Sequence, residues 1–149
     1  MTTTTDRAAV LDGLRRFIDQ RSGIDARNYM RDWRDSEGRR AFGSDRYKIT
    51  RDGRDARLLL AFVDGTDIDV ATIADATRGE RLELSEDGRE WHYTAGQYFC
   101  TEYRAAACRL LARLVWQYLR DIEGTKTADD IRRRATGVFG RGIASRWFR

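Results

Sequence analysis

Proline is absent from this chain, histidine occurs once, and cysteine only twice. Without proline, repeats or a low-complexity stretch, nothing marks a linker, and one domain is expected over residues 1–149. The cysteines, Cys100 and Cys108, fall on or just before one helix, where eight residues of rise put them about 12 Å apart. That is too far for a disulfide, so buried thiols in a reducing compartment are expected. One histidine and two distant cysteines make no conventional zinc site, and neither metal nor cofactor is expected. No apolar run approaches the ~20 residues of a membrane span. The longest, at 58–63, amounts to a buried helix turn or two. The opening MTTTTDR lacks the basic-then-apolar order of a secretory leader. Residues 1–5 are therefore expected to be a disordered tail, and the setting a cytoplasm.

Charge and apolar side chains are plentiful. Hydrophobic residues make up 41% of the 149 and charged residues 35%. That is enough for one proper core under a well-solvated surface. The net charge of +4 is unevenly placed. Residues 1–75 hold 14 basic and 14 acidic side chains, which cancel; residues 76–149 hold 14 basic and 10 acidic, leaving +4. From Ile131 onward there are six arginines and no acid. Arginine outnumbers lysine 26 to 2. Its planar fork suits phosphate and carboxylate, although a GC-rich genome produces the same bias.

Hydrophobic periodicity predicts a helix over 6–20, with Val10, Leu11, Leu14, Phe17 and Ile18 on one face and Gly23 as its stop. Residues 24–43 are irregular, with Tyr29 and Trp33 on a short helical face and Gly38 and Gly43 at its exit. Ser44 or Asp45 would cap a second helix running to about Val63. Its inner face would carry Ala56, Leu59, Leu60 and Val63, and Arg51 would pair with Asp55 outside. Gly53 weakens that helix by about 1 kcal/mol relative to alanine, which suggests a packing reason for it. Residues 67–76 read as a short helix or an irregular crossing. A hairpin follows. Leu82 and Leu84 alternate with polar residues, as do Trp91 and Tyr93, and Asp87-Gly88 sits between them. This register places Leu84 opposite Trp91, Leu82 opposite Tyr93, and Glu83 opposite His92. Thr101 would cap the longest apolar stripe, Tyr103, Ala107, Leu110, Leu111, Leu114, Tyr118 and Ile122, on a helix over 102–122. Arg109, Arg113 and Arg120 would lie along its outer face, and Gly124 would end it. Thr127 with Asp130 reads as the start of another helix reaching about Val138. Gly140 and Gly142 break it before a last turn at 143–148. The expected fold is α+β and predominantly helical: four to five helices packed with one antiparallel β-hairpin, the 102–122 helix being the best buried.

Few residues carry chemistry. His92 with Glu83 is the one acid–base pair, and cross-strand pairs of that kind are routine. No nucleophile elbow, phosphate loop, dinucleotide fingerprint or metalloprotease helix is present. The pairs Asp129–Asp130 and Asp67–Asp69 suit helix starts and loops better than a hard cation. Arginine and aromatics are interleaved twice. Around Arg27, Tyr29, Arg31, Trp33, Arg34, Arg39 and Arg40, nearby acids cancel the field. In the basic segment 126–149, Arg132, Arg133, Arg134, Arg141, Arg146 and Trp147 have no such local compensation. Arginines there would contact phosphates, and Trp147 would stack on a base. The competing reading is structural: Trp147 and Phe148 pin the chain end to the core, and the arginines pair with acids elsewhere. A helix-turn-helix over 128–149 would need a turn with two glycines and an unusually short second helix.

Four blocks, FIDQRSGIDARNY, RDGRDARLLL, YTAGQYFCTEYRAAACRLLARLVWQYLR and GRGIASRWF, cover about half of the chain. Together they resemble a family of small uncharacterised proteins associated with bacterial phages, plasmids and other mobile elements. The resemblance implies a setting, an accessory protein of a mobile element in a bacterial cytoplasm, and no activity or site residue. Proteins of that kind bind nucleic acid or block host defence complexes, as anti-CRISPR proteins do. Three functions are therefore carried forward. The first is a non-enzymatic protein whose arginine-rich C-terminal face contacts nucleic acid or a nucleic-acid-handling complex. The second is a protein–protein inhibitor anchored by Trp33, Trp116 or Trp147. The third is an enzyme using His92 and Glu83.

Overall fold

The computed structural model describes residues 6–20, 43–77, 82–93 and 100–149, and the side chains of all of these except 20, 43–50 and 100–103. The expectations for Gly23, Tyr29, Trp33, Gly38 and the first arginine-aromatic stretch lie outside the described residues. Six helices and one two-stranded antiparallel sheet occur among those described: α1 (Arg7–Gln20), α2 (Gly43–Asp64), α3 (Val70–Ala76), β1 (Leu82–Leu84), β2 (Trp91–Tyr93), α4 (Cys100–Asp121), α5 (Ala128–Phe139) and α6 (Arg141–Trp147). The chain is predominantly helical α+β.

The apolar stripes form one core. Val10, Leu11, Leu14 and Ile18 of α1 are buried, with Ala56, Leu59, Leu60 and Val63 of α2 and Ala107, Leu110, Leu111, Leu114 and Leu119 of α4. Helix α4 contributes more buried side chains than any other element. It packs most extensively on α2. The Cys108 thiol donates to Asp52 O at 3.2 Å, and ten residues further along each helix Phe62 meets Tyr118 edge-to-face at 5.8 Å. Equal spacing on both helices means that α2 and α4 run parallel, which a long connection between them permits. Both begin earlier than their predicted caps: Ser44, Asp45 and Thr101 lie inside helices that start at Gly43 and Cys100. The cap read at Thr127 is present, its Oγ1 accepting from Asp130 N at 3.1 Å. Residues 67–76 resolve into a short helix capped by Asp69, whose Oδ1 accepts from Thr72 N at 2.7 Å, which holds the Asp69 carboxyl below its usual range. Gly124, at φ 74°, follows the end of α4.

Arginine forks close several helix C-termini, where backbone carbonyls lack intrahelical donors. Arg7 donates to Val63 O (2.8 Å), Thr66 O (2.5 Å) and Ile68 O (2.6 Å), at and beyond the end of α2. Arg113 donates to Ala76 O at the end of α3 (2.6 Å), an inward role for a side chain expected to face out. Arg104, buried on α4, donates to Ile18 O in the last turn of α1 (3.3 Å). The Arg104 guanidinium lies flat against Gly53, where an added Cβ would sit 2.7 Å from Nη1. That close approach is the packing reason for a glycine in mid-helix.

The strand register is the expected one: Leu82 opposite Tyr93, Glu83 opposite His92, Leu84 opposite Trp91. The connection is longer than a two-residue turn. Ser85 N bonds Glu90 O and Gly88 N bonds Ser85 O, with Gly88 at φ 73°. A three-residue ribbon is marginal alone, and this one is fastened to α1. The buried Trp91 indole donates to Val10 O (3.0 Å), and Arg16 donates to Arg89 O (2.9 Å). Gly13 is the seat: a Cβ there would lie 2.2 Å from Arg89 O.

Two substitutions separate this contact from helix propensity. Gly13→Ala gains about 1 kcal/mol of propensity but drives a methyl into backbone, and is expected to destabilise by roughly 1–3 kcal/mol net. Gly137→Ala, in α5 with nothing within 4 Å of the added carbon, is expected to stabilise by up to about 1 kcal/mol. Thermal denaturation of the two variants checks both signs.

Candidate interaction face at the C-terminal end

Helices α5 and α6 carry every predicted phosphate-contacting residue, and most of them already have anionic partners. Arg133 reaches Asp130 (3.3 Å) and Arg132 reaches Asp129 (3.2 Å), each one turn back on α5. Arg132 also donates to Phe148 O (2.9 Å) and lies over the Trp116 ring at 5.7 Å. Arg134 forms a two-pronged pair with Glu123, which lies just beyond the end of α4 (3.1 and 3.4 Å), and the pair raises the guanidinium's hold on its proton. Arg146 grips Asp55 of α2 through Nε (2.9 Å) and Nη2 (3.2 Å), and the Trp147 indole donates to the same carboxylate (2.9 Å). Trp147 is thereby directed inward, along with Phe148, which is buried and stacks on Phe139 at 5.8 Å. Arg141 is different. It is exposed, and among the described residues it has no ion-pair partner.

Asp55 corrects the sequence reading. It was expected to pair outward with Arg51, yet it is only 1% exposed. Arg51 pairs instead with its neighbour Asp52 (3.0 Å). The reason is angular: Asp55 falls between Phe62 and Leu59 on the helix wheel, inside the inward-facing stripe. A carboxylate within the stripe was the signal that could have revealed the clasp. Burial pushes the Asp52 carboxyl above its usual value, with Arg51 opposing the shift.

Apolar side chains on this face were also missed. The exposed large hydrophobic residues among those described are Leu58 (49%), Ile122 (66%) and Val138 (37%). Ile122 was expected inside the α4 stripe, but lies past the helix end and outside the core. Each lies close in sequence to a member of one half-buried aromatic cluster. Phe62 touches Tyr118 and, at 5.4 Å, Phe139. Leu58 lies one turn before Phe62, Ile122 one turn after Tyr118, and Val138 beside Phe139. Arg134 joins the two sides, bonded to Glu123 and close enough to Tyr118 to interact electrostatically. Clustered exposed apolar groups mark interaction surfaces more reliably than scattered ones.

His92 stands elsewhere, on the hairpin. Its side chain is 60% exposed, with Nε2 3.7 Å from Glu90 Oε2, and Glu83 is its cross-strand neighbour. Among the described residues no group of three or more His, Cys, Asp or Glu side chains converges, and no helix is long and apolar enough to cross a membrane.

The two buried carboxylates should respond oppositely to neutralisation. Asp55→Asn leaves three donors facing a weaker acceptor and is expected to cost about 3 kcal/mol. Asp52 has a raised folded-state value, so its protonated form is favoured by the fold. Its contribution is full below the ordinary value of 3.8 and is lost as pH rises through the folded value. Asp52→Asn should therefore match or exceed the parent in stability at neutral pH, with any gain vanishing toward pH 4. Urea titrations across this range check both; a larger loss for Asp52→Asn than for Asp55→Asn at pH 7 would contradict the assignment.

Compared with known proteins, the chain matches no family model, no curated protein and no solved structure.

Proposed function

We propose that this chain is a non-enzymatic binding protein that engages another protein through the face formed by α2, α4 and α5. One observation carries the reading. The arginines best placed by sequence to grip phosphate are held by carboxylates of the same chain, whereas each of the exposed large apolar side chains lies, along its own segment, within four residues of a member of one aromatic cluster. Freeing Arg146 for a phosphate would leave the buried Asp55 carboxylate short of its donors, although the exposed pairs of Arg132 and Arg133 are worth only ~0–1 kcal/mol. Covering an exposed Ile or Leu breaks no polar bond and removes apolar area from water. The sequence resemblance supplies the setting for this proposal: an accessory protein of a mobile element, in a bacterial cytoplasm, blocking a host defence complex in the manner of an anti-CRISPR protein. The exposed His92 favours no enzymatic role over a surface one.

A second reading, contact with nucleic acid, is favoured by the unpaired Arg141 together with Arg133, which lies on the exposed side of α5. Arg132, Arg134, Arg146 and Trp147 would then have to leave their present partners to take part.

Mobility shift with single- and double-stranded DNA and RNA, at low and raised salt, separates the two. The protein reading expects no saturable shift at moderate salt. Saturable binding whose salt slope falls by about 1 on replacing Arg141 or Arg133 would sink it and establish the nucleic-acid reading.

A further inference from the structure

Helices α5 and α6 meet at a corner of one residue. Gly140 follows α5 and precedes α6; its N–H donates to Thr136 O (2.9 Å) and its carbonyl accepts from Ala144 N (3.2 Å). Its φ of 93° and ψ of 164° belong to a region that is essentially restricted to glycine. A Cβ there would meet nothing within 4 Å, so the glycine is required by backbone conformation and not by space. The apolar spacing runs through the corner without a break: Ile131, Ala135, Phe139 and Ile143 recur every fourth residue. Straightened at Gly140, residues 128–147 would form one amphipathic helix.

The seat of α6 is supplied by other elements. Asp55 of α2 receives Arg146 and Trp147, Phe139 of α5 stacks on Phe148, and Arg132 of α5 donates to Phe148 O. Ile143, Ala144 and Phe148 are buried. Were α6 to swing out about Gly140, the buried Asp55 carboxylate would lose these three donors, a state too costly to persist unfilled. The group that refills the seat contact for contact is α6 of another molecule. We infer that α6 exchanges between two copies of this chain about Gly140, giving a two-fold dimer in which each α6 occupies the seat of the other copy. The closed and exchanged forms make the same contacts at the seat and differ at the hinge, where the exchanged form replaces a glycine-only corner with helix. The inference goes beyond the partner-binding face and does not depend on it.

The test uses the full chain. Gly140→Ala acts on the hinge twice, straining the corner and favouring the continuous helix. Light scattering across a concentration series, after refolding from urea, should show Gly140→Ala dimerising at least about tenfold more tightly than the parent. Gly137→Ala raises helix propensity inside α5 without touching the corner, and should match the parent. Exchange is read directly by mixing isotopically labelled and unlabelled Gly140→Ala chains before refolding. Isotope-filtered NMR should then find Phe139–Phe148 ring contacts between chains. If the parent and Gly140→Ala both remain monomeric at millimolar concentration, the inference is wrong. It is equally wrong if a dimer forms whose Phe139–Phe148 contacts all lie within single chains, because those copies associate without exchange. Should Gly140→Ala fail to refold, the parent refolded at millimolar concentration from the same labelled mixture decides the matter, and an absence of interchain contacts overturns the exchange.

Discussion

The Asp55 carboxylate joins the C-terminal end of the chain to its helical core. It is buried on α2 and accepts from two guanidinium nitrogens of Arg146 and from the Trp147 indole. A carboxylate removed from water must be compensated in full or it destabilises the fold. Three donors from one short helix meet that requirement, and in doing so they fix where α6 lies. Phe148 is thereby seated in the core against Phe139, and Phe139 against Phe62.

Arginine recurs in this architecture as a closing group for helix ends. Arg7, Arg104 and Arg113 each donate to a carbonyl at or near the C-terminus of a different helix, and Arg132 does the same at Phe148 O beyond α6. A planar fork with several donors suits this role better than an ammonium, and positive charge near a helix C-terminus complements its dipole. Part of the arginine excess is thus structural. The formal charge of the C-terminal segment therefore overstates the charge it presents to a partner, because local carboxylates and Asp55 neutralise most of it.

The two ends of the molecule solve one problem differently. The hairpin is too small to hold itself, so it is docked on α1 through a glycine that admits a backbone carbonyl and a tryptophan that bonds the helix. The last helix is too short to be stable alone and is held by side chains.

Local periodicity was sufficient for much of this. The stripes of α1, α2 and α4, the cap at Thr127, and the register of Leu84 against Trp91 depend on spacing along the chain, and spacing is what sequence displays. The partners of Arg7, Arg104 and Arg146 lie tens of residues away, so no local pattern could name them. The same holds for Leu58 and Ile122, which stand in apolar patterns and yet remain exposed. Sequence by itself determined which faces of α1, α2 and α4 are apolar and how the two strands register, because those follow from side-chain chemistry at fixed helical and strand periods. Only the tertiary structure decided which charges are neutralised and which apolar groups remain in water, because both depend on distances between segments that the chain brings together when it folds.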